Sequence, residues 1–151
     1  MDKEELQVEI KIEIENLERL NNEMNKLLKQ VEDRPNFIEV RAAGSILHDF
    51  YSGVEKIFER IALAVDSHFP KGENWHMELL LQISKPFEEK RDAIISEDLL
   101  QNLKEYLRFR HLFRHVYGFE LTWERYEGLC RRLEDTFGEI KIHVDRFLSK
   151  S

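Results

Sequence analysis

Residues 109–121 read FRHLFRHVYGFEL, in which three phenylalanines, two histidines and two arginines are interleaved. Two imidazoles facing a phosphodiester are enough to cut RNA without a metal ion. One takes the proton of the ribose 2′-hydroxyl and the other protonates the leaving 5′-oxygen. Histidine suits both tasks because its ordinary pKa lies near neutrality. An arginine beside them stabilises charge building on the phosphoryl oxygens, and its fork matches two of them. The products expected are a 2′,3′-cyclic phosphate and a 5′-hydroxyl. DNA lacks the nucleophile and should be inert.

Residues five apart on a regular helix point about 140° away from each other. Arg110 and His115 therefore share no face of an unbroken helix. Either the helix ends between them, with Gly118 just beyond, or a second subunit supplies the complement across a two-fold axis. His111 and His115 are four apart, a spacing that can hold a metal on a helix. No acidic or thiolate third ligand stands nearby, so no metal and no cofactor is expected. His48, His68, His76 and His143, taken singly, read as structural. Arg108 and Arg114 read as surface charge, and Arg114 is placed to assist phosphate binding. Phe109, Phe113 and Phe119 are expected in the core or at a dimer seam rather than as platforms for stacking bases.

Charge is distributed in keeping with that site. The net charge of the 151-residue chain is −7, and residues 1–40 carry 11 acids against 6 bases. Such a chain binds a polyanion poorly unless its positive charge is gathered. Residues 100–117 hold Lys104, Arg108, Arg110 and Arg114 against Glu105 alone. The bases are thus concentrated beside the histidines.

The elements that must position these groups read as helices. Length gives one domain, residues 1–151, and the six Gly and three Pro interrupt it little. The first helix runs from Lys3 to Val31 through Leu6, Ile10, Ile14, Leu17, Met24 and Leu28, and Pro35 ends it. Val8, Ile10, Ile12 and Ile14 also alternate as in a strand, but length and the lack of turn residues favour helix. A second runs from Phe37 to Asp66 on the stripe Phe37, Val40, Ala43, Leu47, Phe50, Val54, Ile57, Ile61, Ala64. A short third spans about Asn74 to Ser84. Ser96 caps a fourth that reaches Phe113. After a connector, Thr122 can cap a last helix from Trp123 to Leu148. Four long helices and one short one make an all-α bundle. The single cysteine, Cys130, excludes an intrachain disulfide. The N-terminus shows no signal-peptide core, and no apolar run approaches the ~20 residues of a membrane span. A cytoplasmic protein is expected.

Arg110, His115 and Tyr117 form an Arg-x4-His-x-Tyr pattern that resembles the HEPN superfamily and, within it, the HepT toxins. LHDFYSGVEKIFERIA at 47–62, the stretch Asp66…Pro70…Gly72…Trp75-His76, and LKEYLRFRHLFRHVYGFELTWERY at 103–126 are similar to HepT-like proteins too. The resemblance covers about residues 40–148. It implies a HEPN-type helical bundle assembled as a two-fold homodimer with the two motifs at the interface. It implies a metal-independent endoribonuclease of bacteria, the toxin of a type VII-like toxin–antitoxin pair, with tRNA among its targets. The implied partner is an MntA-like minimal nucleotidyltransferase antitoxin that transfers AMP to the motif tyrosine. Carried over by position, Arg110 and His115 are catalytic and Tyr117 is the residue adenylylated. One departure is His111, which stands where many HEPN motifs have a small polar residue, often Asn. It can assist proton transfer, which leaves open which histidine is acid and which base. Two other readings compete: a non-catalytic HEPN module that only binds a nucleotidyltransferase, and a generic helical adaptor. The intact Arg–His pair argues against the first, the basic cluster against the second.

Overall fold

The computed structural model describes residues 2–150, all in helices and their connections, with no strand among the described residues. The first helix, α1, spans Lys3–Gln30, and its N-cap Asp2 accepts from the Glu5 amide at 2.8 Å. Leu6, Ile10, Ile14, Leu17, Met24 and Leu27 are its buried face, while Val8 and Ile12 stay exposed. The 3.6-residue period therefore prevails over the local alternation.

α2, Phe37–Ile61, opens with a capping box in which Asn36 and Glu39 exchange backbone and side-chain hydrogen bonds. It is the central helix and packs against α1 and against helices that follow it. Phe37 is not part of its core stripe. It lies at the first helical position, before α2 enters the bundle, and is 67% exposed. From Ala43 to Ile61 the expected stripe is buried throughout.

A single π turn, Ala62–Asp66, extends α2, and Ser67 then turns in the left-handed region. Asp66 is fully buried and receives two hydrogen bonds from Arg91, Nε at 2.7 Å and Nη2 at 2.6 Å. Gln82 also donates to Asp66. That cluster ties the end of α2 to α3 (Trp75–Ile83) and to the loop before α4 (Glu97–Phe113). Ser96 caps α4 through the Leu99 amide.

The last helical segment departs from expectation. It is two helices, α5 (Trp123–Arg131) and α6 (Leu133–Lys150), so the bundle has four long and two short α-helices among the described residues. The cause lies in α4. In an unbroken helix the Leu129 carbonyl would accept from Leu133. Here it takes the buried Tyr106 hydroxyl at 2.8 Å, and Arg132 is drawn sideways to Asn102 and Glu105. Thr122 precedes α5 but its side chain makes no capping hydrogen bond. No helix among the described residues is long and apolar enough to cross a membrane.

Candidate active site at the end of α4

α4 stops between Arg110 and His115, the first of the two arrangements their spacing allows. The helix closes at Phe113, and the His115 amide reaches the Leu112 carbonyl at 2.9 Å in a tightened last turn. Tyr117 then leads into one 3-10 turn, Gly118–Glu120, with the Glu120 carboxylate accepting from the Tyr117 amide at 2.7 Å.

Two glycines fix this turn over α2. A Cβ on Gly44 would lie 2.9 Å from both Phe113 and Leu121, so only glycine lets those side chains settle on α2 at this point. A Cβ on Gly118 would lie 2.7 Å from the Arg41 Nε, because the Arg41 side chain rests on the Gly118 backbone. Arg41 thus joins the site from an element 70 or more positions earlier than the histidines.

His111 and His115 come together. Both are exposed, and their ring centroids are 4.6 Å apart at an interplanar angle of 58°. Arg110 is half-buried and leans toward α2, where its Nε donates to the Ser52 hydroxyl at 3.1 Å. Its two terminal nitrogens have no protein partner among the described residues, and the fork remains available. Behind it lies Tyr51, whose phenol is pushed far above its ordinary range by burial and by Glu55, with Arg110 opposing. Arg41, Arg108, Arg110 and Arg114 have no carboxylate within ion-pair distance among the described residues, as is also true of Arg19, Arg125 and Arg146, while Arg34, Arg60, Arg91, Arg131 and Arg132 are paired. Arg110 and Arg114 flank the imidazoles in sequence and Arg41 lies on Gly118, while the Glu120 carboxylate is engaged by the Tyr117 amide. No three His, Cys, Asp or Glu side chains gather as a metal site among the described residues.

The aromatics of the stretch divide. Phe109 is buried and Phe113 half-buried, as expected for core residues. Phe119 is not in the core: it is 70% exposed and stacks in parallel on Tyr117, itself 72% exposed, at 5.3 Å. The remaining histidines have structural partners. His76 donates to the buried Glu55 at 2.8 Å and stacks on Trp75, His143 donates to the Glu139 carbonyl, and His68 stacks on Phe87. His48 packs on Phe113 and pairs with Asp49. Cys130 is buried and its thiol is pushed up to about 12 by desolvation, which removes it as a nucleophile. Sequence reasoning did not find Ser52, Arg41 or Phe37, and no spacing within the motif points to them.

Residues 42–151 match the family of HepT-like proteins. No curated protein and no solved structure matches the chain. The matched region takes in α2 from its second turn, the whole of the α4 turn with Arg110, His115 and Tyr117, and the end of the bundle. With that match over most of its length, the chain belongs to the HepT-like family of the HEPN superfamily.

Proposed function

We propose that this protein is the toxin of a type VII-like toxin–antitoxin pair, a metal-independent endoribonuclease of the bacterial cytoplasm that acts on RNA, with tRNA the expected class. The observation that carries the reading is the pair of exposed imidazoles 4.6 Å apart, on the stretch that also bears Arg110 and Arg114, which no carboxylate pairs among the described residues. One imidazole of the pair accepts the proton of the ribose 2′-hydroxyl. The oxygen attacks phosphorus, the bond from phosphorus to the 5′-oxygen breaks, and the second imidazole gives that oxygen a proton. Arg110 offers its free terminal nitrogens to the phosphoryl oxygens, and Arg114 adds positive charge from the helix end. His115 is the essential histidine and His111 assists. In the homodimer two such sets face one cleft.

The inhibitory partner is an MntA-like nucleotidyltransferase. It transfers AMP from ATP to the Tyr117 hydroxyl, with pyrophosphate leaving. The exposure of Tyr117 supports this reading, since a buried phenol would offer no acceptor. AMP there adds bulk and a negative phosphate two residues from His115, where the RNA phosphate has to lie, so both occlusion and repulsion silence the toxin.

The test is cleavage of bulk tRNA in excess EDTA by the wild-type chain, its mass checked for absence of AMP, against Arg110→Ala and His115→Ala. Cleavage with 2′,3′-cyclic phosphate ends, lost in both variants, is the expected outcome. An inert wild-type protein would leave a non-catalytic module that binds a nucleotidyltransferase.

A further inference from the structure

The exposed aromatic side chains are not scattered. Phe37 and Phe119, 67% and 70% exposed, line one groove of about 380 Å³. Half-buried Val40 and Leu121 and buried Trp123 line its deeper part. That volume falls in the range of about 300–1,000 Å³ typical of small-ligand sites. At the rim Arg34 and Glu124 pair with each other, and Thr122 adds a hydroxyl. Tyr117 covers one side of Phe119, with the two rings 7° from parallel. Two phenylalanines left in water at one groove beside a candidate active site call for an occupant.

The surrounding charge selects among occupants. The Arg41 side chain lies on Gly118, between Tyr117 and Phe119 in sequence, and His111, Arg114 and His115 precede them at the end of α4. In the two-fold homodimer proposed above the cations of the two protomers stand across one cleft from each other, and a polyanion lying in that cleft neutralises both sets. A polyanion with planar rings meets both halves of the surface: its phosphates lie along the arginines while a base stacks on the aromatic wall. Recognition of single-stranded RNA works in this way, through unstacked bases on aromatic faces.

From this we infer that the Phe37–Phe119 groove is a nucleobase subsite. It takes one unstacked base of a single-stranded RNA next to the phosphate held at Arg110, His111 and His115. The inference rests on the ribonuclease reading for its ligand, but binding and cleavage test the two separately.

The probe is a short, fully 2′-O-methylated single strand carrying 2-aminopurine, which cannot be cut and whose fluorescence falls when the base stacks. Wild-type protein is expected to quench it. Phe119→Ala and Phe37→Ala should abolish the quenching and weaken binding roughly five- to a hundredfold, the equivalent of about 1–3 kcal/mol per stacked base. Phe119→Tyr, which keeps the ring, should restore both. Thermal melting checks that each variant folds, and light scattering follows its oligomeric state. Unchanged affinity and quenching in Phe119→Ala overturn the subsite, as does absence of binding by the wild type. A dimer lost in Phe119→Ala with strand binding intact assigns the groove to a second copy instead. Quenching without metal-free RNA cleavage leaves the subsite standing and removes the nuclease. Cleavage with an unaffected Phe119→Ala does the reverse.

Discussion

His111 is the residue where the local chemistry departs furthest from a single essential histidine. Its ring lies 4.6 Å from that of His115, so on the proposed reading one protomer supplies both an acid and a base for 2′-hydroxyl attack. If the two share the work, the pH–rate profile of the wild type is bell-shaped, one limb for each imidazole. His111→Gln should then lower the rate by about 10²–10⁴-fold and erase one limb. The limb that disappears assigns the role: loss of the acid limb makes His111 the base. A profile still bell-shaped in that variant would mean the second proton carrier comes from elsewhere, the partner protomer being the first place to look. Tyr117 carries a separate prediction. Tyr117→Phe keeps the ring stacked on Phe119 but has no hydroxyl to accept AMP, so cells expressing it with the nucleotidyltransferase should stop growing while the wild-type pair grows. Silencing of Tyr117→Phe would point to another acceptor or to inhibition by docking alone. At this scale Arg110, His111, His115 and Tyr117 stand out as candidates in the sequence, because residue type and short spacing single them out, and the fold brings the two histidine rings together. Ser52, which holds Arg110, was not: it lies 58 positions away and only the fold brings it near. Phe119 was read as a core or seam residue because burial is the commonest fate of aromatics, and the 3-10 turn places it outside the protomer's core.

The elements show the same division between local and long-range information. Caps and prolines mark the ends of α1, α2 and α4 plainly, and those ends fall close to where the sequence puts them. The break between α5 and α6 has no such signal, since no Gly or Pro stands at Arg132. It arises from the Tyr106 hydroxyl taking the Leu129 carbonyl, a contact across 23 positions. The Arg110–His115 geometry depends on a similar long-range fit at Gly44. Gly44→Ala gains about 1 kcal/mol of helix propensity but inserts a methyl 2.9 Å from Phe113 and Leu121, at an overpacking cost of about 1–3 kcal/mol. The net expectation is a fall in urea midpoint, together with reduced RNA cleavage as the turn bearing His115 is pushed off α2. Gly138→Ala is the comparison. Nothing lies within 4 Å of its added carbon, in the interior of α6, so it should raise stability by about 0.5–1 kcal/mol and leave cleavage unchanged. Equal shifts in the two variants would show that the close approach at Gly44 does not hold the turn.

At the scale of the whole molecule an overall charge of −7 opposes a polyanion, and Arg41, Arg108, Arg110 and Arg114, none of them in an ion pair, must reverse that locally. Counterion release makes the contribution measurable. For single strands, log K falls with log salt at a slope of about −0.7 per phosphate neutralised. If Arg41, Arg108, Arg110 and Arg114 each engage a phosphate, the slope for the uncleavable 2′-O-methyl strand should be about −3. Arg41→Ala and Arg114→Ala should each make it shallower by about 0.7 and weaken all sequences alike. Phe119→Ala should weaken binding with no change of slope, because a stacked base releases no counterions. A slope near zero in the wild type would mean that the basic turn does not touch the nucleic acid backbone, and a slope altered by Phe119→Ala would mean that the ring acts by holding the arginines in place. Separating the two classes of variant in one salt series thus tells whether the turn at the end of α4 joins an electrostatic track to a stacking wall, which is the arrangement an acidic protein needs if it is to hold RNA at one place on its surface and repel it everywhere else.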